Sequence, residues 1–191
     1  EPLDNFDNSV RFLKLVSDEN GLNIGLRHIS LSTSGVVSGI KKLKEYNLPI
    51  TLSISLHAPS DDIRSSVMPV NKRWNIDELL AACKEYQAVT TRRISFEYAL
   101  IDGVNNSDAC ADMLAKKLRG IMCHVTLIPA NPVKENSFKK PDRNKILRFK
   151  ERLAANGVNA TVRRTLGADI DASCGQLRKR VKEGESIADI Q

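Results

Sequence analysis

"TLSISLHAP", residues 51–59, alternates apolar and polar side chains along its length. In an extended strand successive side chains leave opposite faces, so Leu52, Ile54 and Leu56 are expected on one face and Ser53, Ser55 and His57 on the other. Two other stretches repeat the pattern. In "HISLSTSG", residues 28–35, Ile29 and Leu31 oppose Ser30 and Ser32; in "RISFEYAL", residues 93–100, Ile94, Phe96 and Tyr98 oppose Ser95 and Glu97. A parallel strand covered by helices on both faces should be apolar on both. Three strands with one small or polar face therefore suggest a sheet curved around something polar. An antiparallel sheet with one face in water would give the same alternation.

What lies between the strands decides between these readings. Strand-like runs fall at 27–32, 49–57, 93–100, 123–129 and 159–165, and helix-like periodicity at 5–19, 36–46, 60–67, 75–88, 107–118 and 142–156. Strands alternating with helices indicate an α/β protein with a mostly parallel sheet. Local punctuation agrees: Asn75 with Glu78 has the form of a capping box, Asp142 after Pro141 is placed to cap a helix, and Gly157 to close it. In such sheets functional groups gather at the carboxyl ends of the strands. Those ends read Ser32-Thr33-Ser34-Gly35, Ser55-Leu56-His57-Ala58-Pro59 and Ile128-Pro129-Ala130-Asn131-Pro132, each a small or polar residue followed by a turn. They suit a bound polar small molecule.

Composition sets the outer bounds. The chain has 191 residues, 41% hydrophobic and 27% charged, enough for one sizeable domain with a real core. No apolar run reaches the length of a membrane span, and no signal peptide is visible. Four widely spaced cysteines without a Cys-x-x-Cys pair point to a reducing compartment, so a cytoplasmic location is expected. Cys83 and Cys110 fall on apolar helix faces and Cys123 starts a strand, which marks them as packing residues. Cys174 is different. It sits in "DIDASCGQLRKR", residues 169–180, between aspartates and a basic run. On its own a lone thiol of this kind reads as inert. The net charge of +6, with Arg163, Arg164, Arg178, Lys179 and Arg180 clustered late, is compatible with a nucleic-acid partner and equally with a solvated surface.

"EPLDN" at the start, "LSTSG" at 31–35, "ISLHAP" at 54–59, "LIPANP" at 127–132 and "DIDASCGQL" at 169–177 together resemble the radical S-adenosylmethionine adenine methyltransferases. The resemblance runs in order across nearly the whole chain. It implies a partial (β/α) barrel of the radical-SAM type, entered after its first strands and so truncated at its N-terminal side. It also implies a C-terminal segment, 166–191, that carries the reactive cysteine. The cofactors implied are S-adenosylmethionine and a 4Fe–4S cluster. The family's Cys-x3-Cys-x2-Cys cluster motif has no counterpart here, so the cluster ligands are expected upstream and no metal ligand is expected in this chain.

The same resemblance carries residue roles. Glu1 matches the acidic residue that holds the amino group of S-adenosylmethionine, Ser32 a contact to its sugar or backbone, and Ser55, Leu56 and His57 a stretch lining the adenosine. Asn131 matches another cofactor-binding position. Cys174 matches the cysteine that accepts a methyl group as S-methylcysteine. In the family, a radical formed from a second S-adenosylmethionine abstracts hydrogen from that methyl, the methylene adds to the adenine ring, and a disulfide with an upstream cysteine releases the product. The implied activity is methylation of carbon 2 of an adenine in large-subunit rRNA, and in some bacteria tRNA, with an electron donor for the cluster and no membrane partner. The basic residues Arg163, Arg164, Arg178, Lys179 and Arg180 would then meet RNA phosphates. This chain alone is expected to be inactive. Relatives that act on carbon 8 of the same adenine share most of these motifs, and an RNA-binding module without the chemistry would keep the fold.

Overall fold

The computed structural model describes residues 1–130 and 138–164. Its elements follow the expected alternation: α1 (Phe6–Ser17), β1 (Ser30–Thr33), α2 (Val37–Glu45), β2 (Thr51–Ser55), α3 (Asp61–Val67), α4 (Ile76–Thr90), β3 (Ile94–Leu100), α5 (Asp108–Leu118), β4 (Cys123–Pro129), α6 (Arg143–Ala155) and β5 (Ala160–Val162). Short 3-10 turns occupy Leu26–His28 and Pro69–Lys72.

The five strands form one sheet in the order β1-β2-β3-β4-β5, each pairing parallel to the next. Sequential order matters. Parallel crossovers are overwhelmingly right-handed, so a sheet that never reverses its strand order carries its helices on one face. That is the arrangement of a (β/α) barrel, open between β1 and β5 among the described residues, and these leave the opposite face uncovered by helices.

Burial along the strands records the two faces. In β3, Ile94, Phe96, Tyr98 and Leu100 are buried, while Ser95, Glu97 and Ala99 are half-buried. The covered face joins Leu31, Leu52, Ile54, Phe96, Val125 and Leu127 to helix residues such as Ile40, Leu43, Leu79, Leu114 and Phe149 in one core. Across the other face the register sets two polar rows. Ser32 lies beside Ser53, Ser53 beside Ser95, and Ser95 beside His124. Ser55 lies beside Glu97, Glu97 beside Thr126, and Thr126 beside Thr161.

The helix ends form where short-range chemistry dictates. Asn75 Oδ1 accepts from the Glu78 amide at 2.9 Å and Glu78 Oε2 from the Asn75 amide at 3.0 Å, a complete capping box on α4. Asp142 Oδ1 accepts from the Lys145 amide at 2.9 Å, and Gly157 follows α6 at φ +79. The expected strand at 27–32 instead begins with the Leu26–His28 turn and pairs only from Ser30. The strand expected over 49–57 stops at Ser55, because His57 turns to φ +57 and leaves the ladder.

Candidate active site

At the carboxyl end of β1, the Glu1 carboxylate is caught by the turn that follows. Its Oε2 accepts from the Ser34 amide and the Ser34 hydroxyl, both at 2.7 Å, and its Oε1 from the Leu3 amide at 3.1 Å. Partial burial pulls its pKa upward, but the hydrogen bonds from Ser34, Leu3 and Thr33 outweigh it and hold the carboxyl below its usual range. Glu1 is therefore an anion at neutral pH, fixed at the mouth of the polar face. Such a group fits an ammonium. Ser32, exposed on β1, lies on that polar face.

The end of β2 is more tightly built. The amides of Leu56 and His57 both donate to the Glu97 carbonyl, at 3.0 and 3.2 Å. The backbone then turns through the left-handed His57, whose Nδ1 accepts from the Ala99 amide at 3.0 Å. A nitrogen that accepts carries no proton, so the neutral imidazole holds its hydrogen on Nε2. Burial, with the positive charge of Arg64 adding to it, pushes His57 down from 6.5 to about 4, and the ring is neutral at physiological pH. Leu56 is buried beside it. His57 is thus a turn residue beyond the strand and not part of the strand's polar face.

Sequence reasoning missed two buried residues, Arg64 and Asn105, and gave Glu97 only its place on the polar face. Arg64 in α3 is fully buried, and its guanidinium donates to the carbonyls of Ser34 at 2.7 Å, Ser55 at 3.2 Å and Leu56 at 3.1 Å, and to Asn71 Oδ1 at 2.9 Å. Room for it comes from Gly35: at φ +103 a Cβ there would lie 3.0 Å from Arg64 Nη2 and 3.0 Å from Leu79 Cδ2. Burial lowers the Arg64 pKa to about 10, with Asp61 acting in the opposite sense, so the charge is retained. Asn105 is also fully buried, and its Nδ2 donates to the carbonyls of His57 at 2.8 Å and Ala99 at 2.7 Å. Glu97 stands at the centre of the polar face. Burial raises its pKa, opposed by the charge of Arg163 and hydrogen bonds from Ser95 and Thr126.

Arg163 and Arg164 follow β5 and are exposed. Arg163 acts on Glu97 through its charge, which places it at the edge of the same polar face. Asn131, Cys174, Arg178, Lys179 and Arg180 lie outside the described residues. Cys83 and Cys110 are buried and Cys123 is half-buried against the core, as packing residues should be. Among the described residues no group of three His, Cys, Asp or Glu side chains could hold a metal ion, so these residues do not fit an iron–sulfur cluster. No helix among them is long and apolar enough to cross a membrane.

Comparison with known proteins agrees with this geometry. The chain is 54% identical over 180 residues to the protein of Alkaliphilus oremlandii named "Probable dual-specificity RNA methyltransferase RlmN", covering 94% of this chain and 52% of that one. It is 50% identical over 186 residues to the protein of the same name from Clostridium tetani, covering 97% and 53%. The chain thus spans about half the length of the curated relatives it matches. A crystal structure of a radical SAM methyltransferase from Sphaerobacter thermophilus superposes with a TM-score of 0.88 at 49% identity, over 92% of this chain and 52% of that one. A domain of pyruvate-formate lyase-activating enzyme from Bacteroides vulgatus shares the fold alone, with a TM-score of 0.65 at 15% identity over 86% of this chain and 94% of its own. Residues 1–114, which hold Glu1, the Ser34 turn, His57, Arg64 and Asn105, match the Radical SAM superfamily, and the chain belongs to that superfamily.

Proposed function

We propose that this chain forms the S-adenosylmethionine-binding part of an RNA methyltransferase that modifies carbon 2 of an adenine in large-subunit rRNA, and in tRNA, in the cytoplasm. The observation that carries the reading is the polar face of the sheet, closed at its carboxyl end by a fixed anion and a neutral imidazole. S-adenosylmethionine, when bound, supplies the methyl group. The chain's own residues bind and orient it. Glu1, held by Ser34 and Leu3, pairs with the amino group of the cofactor. The Ser32 hydroxyl contacts its sugar or backbone, and Ser55, Leu56 and His57 border the adenosine, with His57 Nε2 as a neutral donor. Asn131, which follows β4 in the sequence, adds an amide. Cys174 carries the methyl as S-methylcysteine, and Arg163, Arg164, Arg178, Lys179 and Arg180 meet the RNA backbone. The target adenine leaves its stack to reach Cys174. A 4Fe–4S cluster would be held by residues other than the described ones and would draw its electrons from a separate donor.

The dual-specificity name of the relatives supports a substrate range that includes more than one RNA. Mass spectrometry of rRNA and tRNA from cells with and without the gene tests the reading. A 2-methyladenine that disappears with the gene and with Cys174→Ala is expected. An 8-methyladenine in its place moves the activity to the other ring carbon, and unmodified RNA in both strains overturns the methyltransferase reading.

A further inference from the structure

His57 occupies a backbone region that costs an ordinary residue free energy, and such a conformation persists only where its surroundings over-determine it. The surroundings are unusually complete. The Ser55 and Leu56 carbonyls accept from Arg64, at 3.2 and 3.1 Å. The His57 carbonyl accepts from Asn105 at 2.8 Å, and the Leu56 and His57 amides donate to Glu97. Every backbone polar group from the Ser55 carbonyl to the His57 carbonyl therefore has a protein partner. Its backbone donors being taken, the donors this turn offers a ligand are side-chain groups: the Ser55 hydroxyl on the polar face and the His57 Nε2–H.

Arg64 and Asn105 arrive from opposite sides. Arg64 comes from α3, after β2, and also binds the Ser34 carbonyl at 2.7 Å, so one guanidinium ties the turn after β1 to the turn after β2. Asn105 comes from the loop after β3. Its Oδ1 accepts from the Ile101 amide at 2.8 Å, and its Nδ2 reaches the Ala99 carbonyl as well as that of His57, tying the end of β3 to the same turn. Three adjacent strand ends are thereby joined through two buried side chains. Arg64 is in turn aimed by Asn71, whose Nδ2 is held by Asp61 Oδ1 at 3.0 Å and by Ser65 Oγ at 2.9 Å.

We propose that Arg64 and Asn105 are positioning residues: by clamping the carbonyls of Ser34, Ser55, Leu56, His57 and Ala99 they set the spacing of three strand ends and hold the His57 imidazole as an Nε2–H donor toward the ligand. The ligand assignment rests on the S-adenosylmethionine reading above; the clamp itself does not. The charge of Arg64 helps to keep His57 neutral, but a charge alone would not clamp the turns. The forked donors of Arg64 do, since three carbonyls on two turns need a planar group with several fixed N–H directions, which a lysine ammonium does not provide.

The experiment uses the 191-residue chain with Arg64→Lys, Asn105→Ala and, as a control for general loss of stability, Asn75→Ala at the α4 cap. Ring nitrogen chemical shifts of His57 report the tautomer, and amide hydrogen exchange reports local opening. In the wild type His57 is expected as the pure Nε2–H tautomer. In Arg64→Lys and Asn105→Ala the tautomer becomes mixed, and the Leu56 and His57 amides exchange at least about tenfold faster relative to Phe96 and Val125 in the sheet. Asn75→Ala leaves both ratios unchanged. An unaltered tautomer, or acceleration shared equally across the sheet, overturns the clamp. A calorimetric titration with S-adenosylmethionine separates the two claims. If the wild type fails to bind, the cofactor reading falls while the tautomer and exchange data still decide the clamp. If the wild type binds, weakening of about tenfold or more in both variants supports the positioning role, and wild-type affinity in them overturns it.

Discussion

His57 is neutral because burial and the nearby Arg64 charge push its pKa from 6.5 to about 4. An unfolded chain takes up a proton on this histidine as pH falls through about 6.5, whereas the folded chain waits until about 4. Between those values the unfolded state binds more protons, so stability is lost as pH falls through the window and is fully present above it. The separation is worth at most about 3 kcal/mol. Glu97, whose pKa burial raises, acts with the opposite sign, so the difference between proteins is what isolates His57. His57→Asn keeps a residue type that tolerates the left-handed region and removes the titration. Urea unfolding at pH 7.5 and 4.5 should show the wild type losing about 2–3 kcal/mol more than the variant across that interval. Equal losses would mean that His57 is protonated in the folded state. The residue type at position 57 was legible in the sequence, and so was its place at a strand end. Its backbone was not, because alternation continues through Leu56 and gives no sign that the ladder has ended. Arg64 was hidden for another reason: an arginine inside a short polar helix reads as solvated surface, and only the carbonyls of two distant turns make it a buried group.

At the scale of elements, α2 meets the N-terminal segment through Gly39. A Cβ at that position would lie 2.7 Å from Leu3 Cβ and 3.1 Å from Leu3 Cδ1. Leu3 is buried, and its amide donates to Glu1. The close approach of helix and segment is thus what seats the Glu1 carboxylate against Ser34. Helix propensity alone would make Gly39→Ala stabilising by about 1 kcal/mol. The geometry reverses the sign, because the clash is with the root of a buried side chain and not its flexible end. Gly39→Ala is expected to destabilise by about 1–2 kcal/mol net and to speed exchange of the Ser34 amide, the donor to Glu1. A raised melting temperature with Ser34 still protected would show that Leu3 has room to move. Element order and the caps of α4 and α6 could be read from sequence because they depend on neighbours three or four residues away. The contact between Gly39 and Leu3 could not, since it depends on how a segment folds back over a helix.

Over the whole molecule, the alternation in β1, β2 and β3 reports only that one sheet face is polar; the helices between strands made the sheet parallel, and sequential strand order puts those helices on the other face. The net charge of +6 acts at this scale too. Neutralising Arg178 and Arg180 together, both outside the described residues, should weaken RNA binding and flatten its salt dependence by roughly 1–2 in log–log slope. An unchanged slope would make the basic run a solvated surface.

Metal uptake follows from how the thiols are distributed. A 4Fe–4S cluster is held by thiolates brought together on one side of a fold. Here Cys83 lies in α4, Cys110 in α5 and Cys123 at the start of β4. Burial pushes the Cys83 thiol up to about 12 and the Cys123 thiol up to about 11, so each resists the deprotonation that ligation requires. Cys174 is one further thiol, and one thiol does not complete a site. Anaerobic reconstitution of the 191-residue chain with iron and sulfide should therefore leave it well short of one cluster per chain, with Cys174→Ala no different. About four irons and four sulfides per chain, with the broad visible absorption of a 4Fe–4S centre, would overturn this, and would require the packed thiols to leave their places in the core.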